Sequence, residues 1–215
     1  MDERLAVAIE MGDRKVFASA LDWPGWSRSG RTREAAIEAL LAYAARFAPV
    51  AERAGLAFPT SFDAEVVDEQ GGGSGTDFGV PSVLLHDDDA RPVDAKEAAR
   101  LAAIVEAAWD TFDAIAATAP AELRKGPRGG GRDRDKMVAH VNEADWSYAK
   151  ELGIRMPAPT SRADTDALRT AVLEVLRRPS DGTPLADRRW RARYAARRIA
   201  WHALDHAWEM EDRSA

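Results

Sequence analysis

The chain of 215 residues contains no cysteine. Disulfide bonds, thiolate metal ligands and a cysteine nucleophile are therefore excluded, and any thiol in its chemistry must come from another molecule. Long apolar runs are also missing, because no segment approaches the roughly 20 apolar residues of a membrane-spanning helix. The first residues, MDERLAVAIEMGDRK, lack the apolar core of a secretory signal. We therefore expect a cytoplasmic protein with no membrane association.

Positive charge is in the minority, since the formal net charge is −6. A negative molecule repels phosphate polymers, so we expect no nucleic-acid partner. The exception is RRWRARYAARR at 188–198, which holds six arginines and is followed by acidic residues. We interpret it as a solvated, salt-bridged helix. The hydrophobic content of 46% and seven tryptophans are sufficient for a real core.

The first part of the chain, 1–70, has the pattern of a small β-β-α-β module. RLAVAIEM and KVFASAL predict a hairpin across GDR, and WPGWSRSGR is interpreted as a loop. TREAAIEALLAYAARFAPV repeats apolar residues at helical spacing, and Pro49 is predicted to end that helix. FDAEVVDE predicts a further strand. Residues 71–92 begin with a Gly-rich run and are interpreted as a flexible linker.

The second part, 93–215, predicts four amphipathic helices packed as a bundle. The first begins after Asp94, which with Glu97 resembles a capping box. The second is expected to end at Gly153 and the third before Pro179, while the fourth is predicted to begin near Asp187. The fold class predicted for the whole chain is therefore α+β, with a small module followed by a four-helix bundle.

Three of the four histidines fall on two of these helices. His202 and His206 are one turn apart, so both rings can reach one ion, and His140 lies at the margin of the apolar face of the second helix. Three protein ligands leave a position for water or substrate, as in catalytic metal sites. An H-x-x-x-H pair also occurs on the apolar face of a helix where both histidines pack against neighbouring side chains and bind no metal. That alternative stays open. His86 is assigned no role.

DKMVAHVNEADWSYAKELG, followed about sixty residues later by RRIAWHALDHAWEMED, resembles the DinB-like four-helix bundles. The resemblance covers roughly 93–215 and implies His140, His202 and His206 as ligands of a divalent metal, Zn²⁺ or Ni²⁺. Members of this type include thiol-dependent S-transferases and mycothiol-dependent maleylpyruvate isomerases. It therefore implies an enzyme that uses a low-molecular-weight thiol, such as mycothiol, on a small electrophilic substrate.

ALDWPGWSRSGRTREAAIEALLAYA is more faintly similar to HicB-like modules, which have a strand, a Pro-Gly loop, a Gly-Arg-Thr turn and a helix in this order. In that family the module partners a toxin, but no toxin-binding residue can be matched here. The alternatives for this part are packing on the bundle and formation of a homodimer.

Four further residues are candidates near the histidines. Glu143 and Glu209, one turn beyond His140 and His206, are candidates for orienting the imidazoles. Arg198, one turn before His202, and Arg132, in the Gly-rich segment before the His140 helix, are candidates for contacting an anionic substrate. The functional alternatives are a hydrolase that uses metal-bound hydroxide and a non-catalytic binding or regulatory protein with an antitoxin-like amino-terminal module.

Overall fold

The computed structural model describes residues 2–83, 87–126 and 130–214. The class is α+β, as predicted: a mixed four-stranded sheet and a set of helices. The strands are β1 (Glu3–Met11), β2 (Val16–Ala20), β3 (Ser27–Gly30) and β4 (Phe62–Gly71), and the helices are α1 (Arg33–Ala42), α2 (Ala44–Arg53), α3 (Ser74–Phe78), α4 (Ala95–Thr118), α5 (Arg134–Glu151), α6 (Arg162–Leu176) and α7 (Ala192–Ser214).

The sheet has the order β3-β2-β1-β4. The predicted hairpin of β1 and β2 is confirmed, and β4 lies parallel to β1 on its other side. The loop interpretation of WPGWSRSGR was wrong in part, because its residues 27–30 pair antiparallel with β2. Ser-Arg-Ser-Gly contains no β-branched or aromatic residue, so this strand depends on its partner rather than on local preference.

The helix that follows is interrupted, but not at the proline. α1 ends at Ala42, and α2 continues through Pro49, so the prediction that Pro49 ends a helix was wrong. Proline removes the hydrogen bond to the carbonyl of Ala45 and is unfavourable inside a helix. Burial of Phe47 and Val50 on both sides of it opposes this cost.

The predicted linker contains structure of its own. It includes α3 and a 3₁₀ turn, Asp87–Ala90. The buried carboxylate of Glu10 on β1 accepts hydrogen bonds from the backbone N–H groups of Ser82 and Val83, both at 3.0 Å, and from the hydroxyl of Thr76. The described part of this segment is therefore held against the sheet by hydrogen bonds to β1.

The four long helices contact one another in pairs: α4 with α7 and α6, and α5 with the same two helices. Asp94 caps α4 by accepting from the N–H of Glu97 at 2.8 Å, as predicted. Gly153 follows the end of α5 with φ of +81°, also as predicted. α7 begins at Ala192, not near Asp187, because the preceding residues fold back so that the N–H of Leu185 bonds to the carbonyl of Trp190.

Sheet and helices share one hydrophobic core. The ring of Phe17 on β2 meets that of Trp201 on α7 edge-on at 6.2 Å, and Arg28 on β3 pairs with Asp205 at 3.1 Å. Gly25, with φ of +94°, lies so close to α7 that a Cβ there would be 2.9 Å from the side chain of Ala200. None of the helices in the described ranges has the length and apolar composition of a membrane span.

The arginine-rich segment is salt-bridged, but only Arg188 and Arg189 are exposed, so its interpretation as a solvated helix was wrong in part. Arg193 and Arg197 are buried. Arg197 forms a two-point ion pair with buried Asp89, and Arg193 bonds to Glu97 at 2.9 Å. Two of the six guanidinium groups are thus used to join α7 to the chain before it and to α4.

Candidate metal centre

The candidate site lies between α5 and α7, which pack against each other. His140 comes from α5, and His202 and His206 come from successive turns of α7. His202 is buried, whereas His140 and His206 are half-buried. The structure therefore brings together the three histidines that the sequence placed on two separate helices.

The three imidazoles face one another. The Nε2 atoms of His140 and His202 are 3.2 Å apart, and the ring centroids are separated by 5.0, 5.0 and 4.7 Å. One ring nitrogen from each residue lies within 4.8 Å of the other two. Zinc–nitrogen bonds of 2.0–2.1 Å in a tetrahedral site put two ligand nitrogens about 3.3 Å apart. The His140–His202 pair has this spacing, and a nitrogen of His206 lies within 4.8 Å of both.

Burial favours the protonation state that a metal ligand needs. It lowers the pKa of His140 and lowers the pKa of His202 well below its usual value, because burial disfavours the charged imidazolium. The positive charges of Arg198 and Arg132 act in the same direction on His202. Neutral imidazole has the free lone pair that binds a cation.

Of the two candidate glutamates, Glu209 contacts the group of His140, His202 and His206, which is called the triad below. Its Oε2 is 3.0 Å from Nδ1 of His206, so an Nδ1–H donating to it leaves Nε2 free for an ion. Glu143 is exposed and lines a groove with Trp146 and Ser161. In the described ranges, no hydrogen bond joins Glu143 to an imidazole.

Arg198 lies beside the triad and is held by aromatic rings. Its guanidinium carbon is 5.2 Å from the ring centre of Tyr148 and 5.0 Å from that of Trp201. The Tyr148 ring meets His202 edge-on at 5.6 Å. The Nη1 of Arg198 is buried and has no hydrogen-bond partner within the described residues.

The remaining candidates are less well placed. Arg132 is exposed, although its positive charge contributes to lowering the pKa of His140 and of His202. Residues 127–129 of the Gly-rich segment that precedes the His140 helix lie outside the described residues, as does His86.

Sequence reasoning missed two residues of this site. Tyr148 was not considered as a site residue, although it lies two turns after His140. Arg213 was not considered, yet its Nη1 donates to Glu209 at 2.8 Å from one turn further along α7. Helical spacing from the histidines was the signal that could have found both.

Comparison of the chain with protein-family models, with curated proteins and with solved structures found no match. What can be said of its function therefore rests on the residues described above.

Proposed function

We propose that this protein is a metal-dependent enzyme that uses a low-molecular-weight thiol, of which mycothiol is an example, on a small electrophilic substrate. The observation that carries the proposal is the facing set of imidazoles of His140, His202 and His206. The pairwise packing of α4 to α7 supports a four-helix bundle of the DinB-like kind, with one histidine on its second helix and two on its fourth.

The donor set suits Zn²⁺ or Ni²⁺, because imidazole nitrogen is a good ligand for both. Bound there, such an ion supplies a positive charge that lowers the pKa of a thiol or a water at its open position. The protein's own contribution is to favour neutral rings at His140 and His202 by burial and to hold His206 through Glu209.

The charges near the histidines favour an anionic substrate. The chain has no cysteine, so the thiol of this proposal comes from a second molecule. The positive charges of Arg198 and Arg132 raise the local potential and stabilise an anion beside the triad. Arg198, with its unpartnered Nη1, is the residue we assign to a carboxylate or similar group of the substrate or thiol.

The amino-terminal part, 1–70, is proposed to pack against the helices as a structural part of the protein and not to act as a separate binding module. Its contacts with α7, through Phe17 and Arg28, support this role. The order of β2, the Pro-Gly turn, β3 and α1 agrees with the HicB-like pattern. These contacts favour packing on the helices over a free surface for a toxin.

The test begins with elemental analysis of untagged protein. We expect one Zn²⁺ or Ni²⁺ per chain, and loss of that metal in His202→Ala and in His206→Ala while the far-ultraviolet circular dichroism stays helical. Asn142→Ala, on the same helix as His140 but lining the groove on another face, is the control and should keep the metal. If the histidine variants retain the metal as the parent does, the site is wrong.

The thiol is tested on the Co²⁺-substituted protein. Sulfur ligation produces intense charge-transfer absorption, which oxygen ligation does not, so millimolar thiol should change the spectrum. A spectrum indifferent to thiols overturns the thiol-dependent assignment and leaves the hydrolase, which a screen of ester and amide substrates then tests.

A further inference from the structure

Arg213, near the end of α7, is held on two sides. Its Nη1 donates to Oε1 of Glu209 at 2.8 Å, and its Nε donates to the backbone carbonyl of Arg124 at 2.6 Å. The side chain is only 13% exposed. A guanidinium with two fixed hydrogen bonds in a half-buried place is much less free than a surface arginine.

Glu209 is in turn held from both sides. One carboxylate oxygen faces Nδ1 of His206 at 3.0 Å and the other accepts from Arg213. Both carboxylate oxygens of Glu209 are therefore occupied, one by the imidazole and the other by the guanidinium. A charged carboxylate held in place fixes both the tautomer and the orientation of the imidazole that donates to it.

The chain between α4 and α5 keeps Arg213 in position. Gly131 has φ of +114°, and a Cβ there would be 2.5–2.6 Å from the guanidinium group of Arg213. The backbone N–H of Arg124 also donates to the carbonyl of Arg213 at 2.9 Å. At the other end of this connection, Arg134 of α5 donates to the carbonyl of Ala119 at 3.0 Å. The connection therefore contacts both helices that carry the histidines.

We propose that Arg213 is a positioning residue of the triad. It acts through Glu209 to hold the His206 ring with its Nε2 directed at His140 and His202, and the close approach of Gly131 holds Arg213 in place. This inference rests on the proposed metal site and goes beyond it, because it assigns a role to a residue that does not touch the ion.

The experiment measures Zn²⁺ affinity by competition with a chelator for the parent, Glu209→Gln, Arg213→Gln and the double variant. We expect Glu209→Gln to weaken binding by about 10–100-fold, as for other partners of metal-bound histidines, and Arg213→Gln to cause a smaller loss. The double variant should bind no more weakly than Glu209→Gln alone, because Arg213 acts only through that carboxylate. Arg177→Gln, which breaks an exposed ion pair with Glu106, is the matched control and should bind as the parent does.

A second measurement needs no metal. The ¹⁵N shifts of histidine in the metal-free protein report which ring nitrogen carries the proton. We expect His206 to be protonated at Nδ1 in the parent and to become a mixture of tautomers in Arg213→Gln. Arg213→Lys, which keeps the charge but loses the planar pair of donors, should be intermediate and serves if the glutamine variant does not fold.

The outcomes are distinct. If Arg213→Gln weakens Zn²⁺ binding by the same factor in the parent and in the Glu209→Gln variant, the arginine acts through the stability of the fold and not through Glu209. That result overturns the inference. Unchanged affinity and an unchanged tautomer overturn it as well. If the parent binds no Zn²⁺, the proposed function fails, and the tautomer of His206 still decides the role of Arg213.

Discussion

At the scale of single residues, the candidate site contains two of the buried polar atoms that have no hydrogen-bond partner in the described residues, and others lie elsewhere, among them Nε of Arg191 and Oδ2 of Asp88. Nδ1 of His202 and Nη1 of Arg198 have none within the described residues. Leaving a buried polar group unpaired is costly, so each such group calls for an explanation, and a bound ligand is one of them. Arg198 is therefore the side chain at which substrate charge is best tested.

Replacing Arg198 by alanine should weaken binding of anionic molecules without removing the metal. A hydrogen bond to a charged group contributes roughly 1.5–3 kcal/mol, so mercaptoacetate should bind the Co²⁺ protein about 10- to 150-fold more weakly. The measurement is a spectroscopic titration, with neutral 2-mercaptoethanol as the reference thiol and Arg177→Ala as the control variant. An equal loss for both thiols contradicts the assignment.

Asp145 should make stability depend on pH. Burial raises its pKa from 3.8 to about 6, although Arg169 at 3.3 Å opposes the shift. Between these values the unfolded chain has lost a proton that the folded chain keeps, so the free energy of unfolding falls as pH rises from about 4 to 6. One pKa unit corresponds to about 1.4 kcal/mol, which makes this loss roughly 3 kcal/mol by pH 7.

Asp145→Asn removes this dependence, so the variant should gain stability relative to the parent as pH rises from 5 to 7.5. Urea unfolding at several pH values measures the difference, and exposed Asp110→Asn should run parallel to the parent. A constant difference between Asp145→Asn and the parent across this range contradicts the raised pKa.

At the scale of elements, the turn between β2 and β3 determines how the sheet meets α7. Gly25 has φ of +94°, and a Cβ there would be 2.9 Å from both Ala200 and Leu204. The turn therefore needs glycine at this position, because a side chain there would collide with α7. Its conformation fits a helix that lies more than 170 residues later in the sequence.

Gly25→Ala should therefore destabilise the protein. A non-glycine residue at positive φ and an overfilled contact each cost roughly 1–3 kcal/mol. Thermal unfolding should show a lower Tm for Gly25→Ala than for the parent. Gly73→Ala, where a Cβ meets nothing within 4 Å, is the matched control. Equal melting temperatures of the two variants would mean that the turn does not pack on α7 in this way.

At the scale of the whole molecule, the two predicted parts share a core, and the boundary at 71–92 stays a prediction. The shared core predicts one cooperative transition in urea. Circular dichroism at 222 nm reports mainly on α4 to α7. Tryptophan fluorescence reports on the amino-terminal part in a variant that keeps Trp23 and Trp26 and has phenylalanine in place of the other tryptophans. In that variant both signals should follow the same unfolding curve. Two separate transitions would instead support independent domains.

The sequence by itself determined what depends on neighbouring residues or on composition. The absence of cysteine excludes disulfide bonds and thiolate ligands from the chain, the four-residue spacing of His202 and His206 places both on one side of any helix, and Asp94 and Gly153 mark helix ends because capping is a local interaction. Only the tertiary structure decided what depends on residues far apart: that His140 meets the other two histidines, that Ser27–Gly30 pairs with β2, that α2 passes through Pro49, and that Arg197 is buried against Asp89. The physical reason is that these features are stabilised by contacts between distant parts of the chain, and burial against a partner outweighs the local preferences of a polar strand, a proline or an arginine.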